Sequence, residues 1–222
     1  MFRSRQLLRS VLIVFIFALL AAAQSPQPDC VNPSDPMVVD YFKAARLAEY
    51  RNDQRTAVTY HLKILESEPN NECVMTILSG LFGKMKYYQE AITWSERAIH
   101  ANPNYNYAYI SLGNAQVALR DTDEAKRSFK KAAELAPRDP MPYYRLGVLA
   151  DEQQKYPDAV KFYKRAIEID PKFEDAYYDL AGVLKDLKRS AEAKAALKKL
   201  LELNPNAKDA QQLLKQIERD AP

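Results

Sequence analysis

The chain has 222 residues, 47% of them hydrophobic, with only five glycines. That composition excludes a disordered chain and disfavours an all-β fold with many tight turns. The formal charge of +3 comes entirely from Arg3, Arg5 and Arg9, so the remainder balances 29 basic against 29 acidic side chains. Without a basic excess or stripe, the body offers nothing to neutralise a phosphate backbone, and no nucleic-acid partner is expected.

Residues 1–23 read as a secretory signal peptide. The three arginines form a basic start, an apolar core runs from Val11 to Ala23, and Ala21-Ala22-Ala23 supplies the small residues of a cleavage site. About a dozen apolar residues are short for a membrane span, which needs about 20. An uncleaved anchor formed by residues 11–23 is the alternative. Export to a periplasmic or extracellular space is the expectation, with a bacterial source assumed. Residues 24–37, rich in Pro, Ser and Asp, read as an extended tether.

From residue 38 onward the chain repeats. Pro69, Pro103, Pro137, Pro171 and Pro205 stand 34 residues apart, at position 32 of units 38–71, 72–105, 106–139, 140–173 and 174–207. Position 20 is Ala57, Ala91, Ala125, Ala159 and Ala193. Position 8 is small throughout: Ala45, Ser79, Gly113, Gly147 and Ala181. Position 7 is Leu78, Leu112, Leu146 and Leu180 in units two to five, and position 4 is a large side chain in every unit, such as Tyr109 and Tyr143. Position 24 carries Phe129 and Tyr163, and position 27 carries Ala98, Ala132 and Ala166. Apolar residues recur every three or four positions, as in amphipathic helices. Small residues at positions 8, 20 and 27 let two helices approach closely, and proline ends each unit by excluding the preceding residue from the α region. Thr122 and Ser190 stand where N-cap residues of second helices are expected, and Pro157 suits a first helical turn. Residues 208–222 read as a capping helix with Leu213, Leu214 and Ile217 on one face.

This pattern resembles the tetratricopeptide-repeat (TPR) family. The resemblance spans residues 38–207 and implies an all-α, right-handed superhelical solenoid of five helix hairpins plus the C-terminal cap. Unit one departs from the pattern with Ala44-Ala45 and His61, unit two with Ser95, and unit five with Leu197 and Leu200.

The resemblance further implies a scaffold or assembly factor that binds a protein or peptide partner. First helices line a concave groove into which positions 2, 5, 9, 12 and 13 point. The implied groove residues are Phe42, Tyr50, Tyr107, Ile110, Asn114, Met141, Tyr144, Val148 and Tyr178, a tyrosine-rich and largely uncharged set. Tyrosine suits such a surface, offering contact area with a polar tip. The same rings could instead pack against neighbouring helices. A clamp for chaperone C-termini would need lysine at position 5 and asparagine at position 9; only Asn114 matches.

Cys30 and Cys73 form an even pair, which in an oxidising compartment reads as a disulfide tying the tether over unit one. A buried Cys73 beside a free Cys30 is the alternative. His61 and His100 lie in different units, with no metal-ligand spacing, phosphate loop or nucleophile elbow. No cofactor, metal or catalysis is expected, and an enzyme is the least favoured class. A membrane-tethered scaffold and a self-associating structural protein stand as alternatives. N-terminal sequencing of the exported protein decides the first: Gln24 at the terminus marks a cleaved signal, Met1 a retained anchor.

Overall fold

The computed structural model describes Cys30 and residues 35–220. The proposed signal segment and most of the tether lie outside the described residues. Eleven α-helices follow one another, with no strand among the described residues. They are α1 (Pro36–Tyr50), α2 (Gln54–Ser67), α3 (Glu72–Lys84), α4 (Tyr88–Ala101), α5 (Asn106–Ala118) and α6 (Thr122–Leu135). Next come α7 (Pro140–Glu152), α8 (Tyr156–Ile169), α9 (Glu174–Asp186), α10 (Ser190–Leu203) and α11 (Lys208–Arg219). Consecutive pairs are the five hairpins, each repeat proline sits in the short turn between hairpins, and α11 takes the place of a sixth first helix.

Helix ends differ in places from the sequence reading. α1 starts at Pro36, so Pro36 and Met37 belong to the helix and not to the tether. Proline in the first turn sacrifices no hydrogen bond, and the Asp35 carboxylate accepts from the amides of Met37 and Val38. Asp53, Asn71 and Asp139 cap α2, α3 and α7 in the same way, each satisfying a backbone amide that the helix leaves without a partner. Thr122 and Ser190 are not caps. They are the first helical residues, after Asp121 and Arg189, and α6 and α10 begin without a side-chain cap bond.

Every first helix ends alike. Asn52, Lys86, Arg120, Gln154 and Lys188, all at position 15, take φ between 58° and 67°. Each lets the next amide bond back to a carbonyl near the helix end, as Asp53 N–H does to Ala48 O at 2.9 Å and Arg189 N–H to Leu184 O at 2.8 Å. None of these residues is glycine, so each unit carries about 1 kcal/mol of backbone strain there.

Within a hairpin, the residue at position 8 fixes what fits at position 24. A Cβ added to Gly113 would lie 2.4 Å from the Phe129 ring, and one on Gly147 would lie 2.6 Å from Tyr163. Both rings are fully buried. Where position 8 is Ser79, position 24 shrinks to Ser95, and their hydroxyls bond at 2.8 Å in the core. The position-20 alanines are all buried, leaving the two backbones close together.

The C-terminal end of the stack is closed. Ala210 and Ile217 of α11 are buried against α9 and α10, with Leu213 and Leu214 half-buried. At the other end Cys30 is 4% exposed and packs with Val38, Ile64, Val74 and Leu78. It is disulfide-bonded to Cys73, with Cα atoms 5.3 Å apart. Asn71 joins this contact to the α3 cap: its amide donates to the Cys30 carbonyl while its oxygen accepts from Val74 N–H.

Gly113→Ala should therefore lose about 1–3 kcal/mol in urea unfolding, since the added methyl forces the Phe129 ring aside. Gly182→Ala, whose Cβ would meet nothing within 4 Å, should gain about 0.5–1 kcal/mol from helix propensity.

Candidate interaction groove

The first helices touch one another along the stack: α3 meets α5, α5 meets α7, α7 meets α9 and α9 meets α11. The backbones of second helices in successive units stand farther apart, bridged only by side chains such as Lys164 and Glu192. The first helices therefore sit on the inside of the curve and line its concave face. α1 and α3 are the exception: their backbones stand farther apart, and their side chains meet in clusters around Cys30 and around Ala48 and Leu81.

The implied groove residues separate into three groups. Tyr50, Tyr107, Tyr178 and Asn114 are exposed, the tyrosines by 74%, 39% and 37%. Phe42, Met141, Tyr144 and Val148 are half-buried. Ile110 is a correction: it is buried within the stack and offers a partner nothing. Gly80 and Gly182 at position 9 keep the floor open, as a Cβ on either would meet no atom within 4 Å.

Tyr144 is primarily a joint between repeats. Its hydroxyl donates to Asp179 Oδ2 at 2.9 Å, tying α7 to α9. Its ring lies 4.9 Å from Phe173 and 5.9 Å from Tyr163, and the Arg145 guanidinium lies 5.6 Å from its centre. Phe42 likewise meets His61 edge-on at 6.0 Å. His61 is fully buried, with Nε2 3.0 Å from Glu49 Oε1 and Nδ1 without a partner. The Glu49 carboxyl lies below the usual range: burial opposes this, and the bond to His61 with the charges of His61, Arg46 and Lys84 outweighs it.

The charge of the groove was missed in the sequence. The inward positions of units four and five carry Asp151, Glu152, Asp175 and Asp186 beside Asp179. Burial raises the Asp151 carboxyl, and repulsion from Asp179, Asp186 and Glu152 raises it further. Burial also raises Asp179, with Asp175 adding to it and the Tyr144 hydrogen bond opposing it. After burial, the nearby carboxylates, Asp179 foremost, make the Tyr144 and Tyr163 hydroxyls weaker acids than usual. A signal for this was present: acids at positions 2, 12 and 13 of adjacent units. Among the described residues, no cation pairs with Asp151, Asp175, Asp179 or Asp186.

Between α9 and α11 lies a pocket of about 230 Å³, walled by Tyr144, Tyr178, Asp175, Asp179, Lys208 and Asp209. A second hollow, about 580 Å³, lies between α2 and α4, where Leu62, Leu65, Met75 and Trp94 line it below Arg97 and His100. Among the described residues no group of His, Cys, Asp and Glu could hold a metal ion, and no helix is long and apolar enough to cross a membrane.

Family models for tetratricopeptide repeats match residues 110–172 and 152–217. The chain thus carries tetratricopeptide repeats across these residues. Heat shock protein STI1 of Saccharomyces cerevisiae is similar at 29% identity over 97 residues, 43% of this chain and 16% of that protein. This TPR chain spans less than a fifth of the length of the curated relatives it matches. A thermophilic TPR protein of Thermus thermophilus superposes with a TM-score of 0.70 at 19% identity, covering 82% of this chain and 99% of that one. The structure of YrrB, described as a TPR protein with an unusual peptide-binding site, gives a TM-score of 0.56 at 21% identity, covering 80% and 92%. These structural likenesses establish the solenoid fold.

The Asp151 carboxyl holds its proton more tightly in the folded protein than in the unfolded chain. Its contribution to stability therefore falls as pH rises through its titration and is restored on acidification. Asp151→Asn should raise the melting temperature at pH 7 by about 1–3 °C. That gain should vanish near pH 3, as calorimetry across pH would register.

Proposed function

We propose that this TPR protein is an exported scaffold or assembly factor that captures an extended or helical segment of another protein in its concave groove. The observation that carries this reading is the row of exposed groups on the inner face: Tyr50, Tyr107, Asn114 and Tyr178, above a floor opened by Gly80 and Gly182. Exposed tyrosines give rigid contact area with little rotamer entropy to lose, which suits peptide capture. The family's general role in protein–protein contact and the peptide-binding site named for YrrB support it.

Export rests on the arginine–apolar–alanine pattern of residues 1–23 and gains support from the Cys30–Cys73 disulfide. Structural disulfides persist where the surroundings oxidise and are rare in reducing compartments. A periplasmic or secreted location fits both. A scaffold held at the membrane by residues 11–23 would use the same groove.

Nothing in the groove favours catalysis over binding. Among the described residues of the groove, no nucleophile is set against a base.

Tyr107→Ala with Tyr178→Ala tests the groove, because both rings stand on the surface, whereas Tyr144→Ala would also break the α7–α9 joint. Affinity capture from the compartment the protein occupies should lose its specific partner with the double variant, while circular dichroism and melting temperature stay unchanged. Equal capture by both proteins would refute the groove.

A further inference from the structure

The body of the chain is neutral by composition, but its groove is not. Its inward positions in units four and five hold four acids, Asp151, Glu152, Asp175 and Asp186, against one base, Lys185. Elsewhere those positions hold a single acid, Glu49, bonded to His61, with Arg46 and Lys84 beside it. Asp179 and Asp209 add to the C-terminal acids, with Lys208 on the wall of the same pocket and Arg145 beside Tyr144. Neither cation forms an ion pair with them, since the Arg145 guanidinium lies beside the Tyr144 ring and Lys208 stands on the pocket rim.

The mutual repulsion of Asp151, Asp179 and Asp186 is therefore unrelieved inside the protein. Carboxylates gathered in a concavity, beside low-dielectric aromatic walls, focus a negative potential on whatever enters. The walls also have a stated shape. Tyr144 and Tyr178 flank the pocket of about 230 Å³, and Tyr144 is held in place by its bond to Asp179. A long cationic side chain matches both features, since its methylene stem lies along a ring while its head reaches a carboxylate.

We propose that the C-terminal half of the groove takes a segment of the partner protein that bears lysine or arginine, its cationic heads over Asp151, Asp175 and Asp186 and its stems against Tyr144 and Tyr178. This rests on the groove reading above and specifies the chemistry of its ligand. The charge also gives the ligand a direction. Basic residues of the segment lie toward α11, and the end over α1 and α3 meets Arg46 and Lys84.

The test uses the full exported chain and two fluorescein-labelled dodecapeptides of leucine, tyrosine and alanine, identical except that one carries four lysines and the other four glutamates. Fluorescence anisotropy should show binding of the lysine peptide and not the glutamate peptide, weakening about tenfold between low and physiological salt. The isosteric triple variant D151N/D175N/D186N should bind the lysine peptide at least about tenfold more weakly and melt no lower than the parent. Equal binding of both peptides, binding of neither, or an unchanged affinity in the triple variant overturns the proposal. Light scattering that shows a dimer abolished by Tyr107→Ala with Tyr178→Ala, without binding of either peptide, assigns the groove to a second copy and also overturns it. Capture of the natural partner that depends on Tyr107 and Tyr178 but ignores the three aspartates overturns this proposal alone and leaves the groove reading standing.

Discussion

The contact between positions 8 and 24 of each hairpin is the constraint from which the remaining architecture follows. Helices approach closely only where one surface is small, and here the small surface is Gly113, Gly147, Ser79, Ala45 or Ala181. Its opposite number changes in compensation. Phe129 and Tyr163 fill the space left by glycine, and Ser95 answers Ser79 with a hydrogen bond in place of volume. The five hairpins keep one shape with five different pairs of residues. A common hairpin shape lets the units stack in register, and the stack brings the first helices together on the inside of the curve. The groove is thus a consequence of packing at a distance from it.

That packing also reaches into the groove. His61 occupies position 24 of unit one, where the family pattern has an aromatic, and its Nε2 meets Glu49 at position 12 on the inner face. Tyr163 occupies the same position in unit four, and Asp151 and Asp179 act on its hydroxyl. In both units the core ring communicates with a carboxylate on the concave side. A solenoid has no long-range core, so each unit is stabilised by its neighbours alone. Its ends need separate treatment. α11 covers unit five with Ala210 and Ile217, and Cys30 packs among side chains of α1 and α3, whose backbones stand apart. Closing a loop of 43 residues, the disulfide removes about 4 kcal/mol of unfolded-chain entropy in the simplest account.

Much of the repeat was legible because its determinants are steric and local. Proline at position 32 and alanine at position 20 leave a phase in the sequence that no other arrangement explains. What escaped was set by context. Position 15 takes a left-handed backbone in every unit, yet Asn52, Lys86, Arg120, Gln154 and Lys188 give no glycine to mark it. Thr122 and Ser190 have cap chemistry, but the cap falls one residue earlier, on Asp121 and Arg189. Ile110 and Tyr144 share position 5 with Tyr178, and burial separates the three: one is core, one a joint, one exposed. A position number says which way a side chain starts, not how far its neighbours cover it.

The distribution of ion pairs carries the last step. On the second helices of units three to five, several acids have partners: Glu124 with Arg127, Glu134 with Lys131, Glu168 with Arg165, Glu192 with Arg189 and Lys164, and Glu202 with Lys199. Most of these are one turn apart on a solvated face, where solvent screens them and each adds little to stability. On the inner face of units four and five the acids stand together without partners among the described residues, and the fold is less stable for it. Equal numbers of acids and bases therefore do not describe this protein. The outer helices of units three to five pair many of their charges, and the inner face of units four and five does not. A scaffold that places unrelieved charge in its concavity, with exposed tyrosines alongside, has left part of its electrostatic pairing to another molecule.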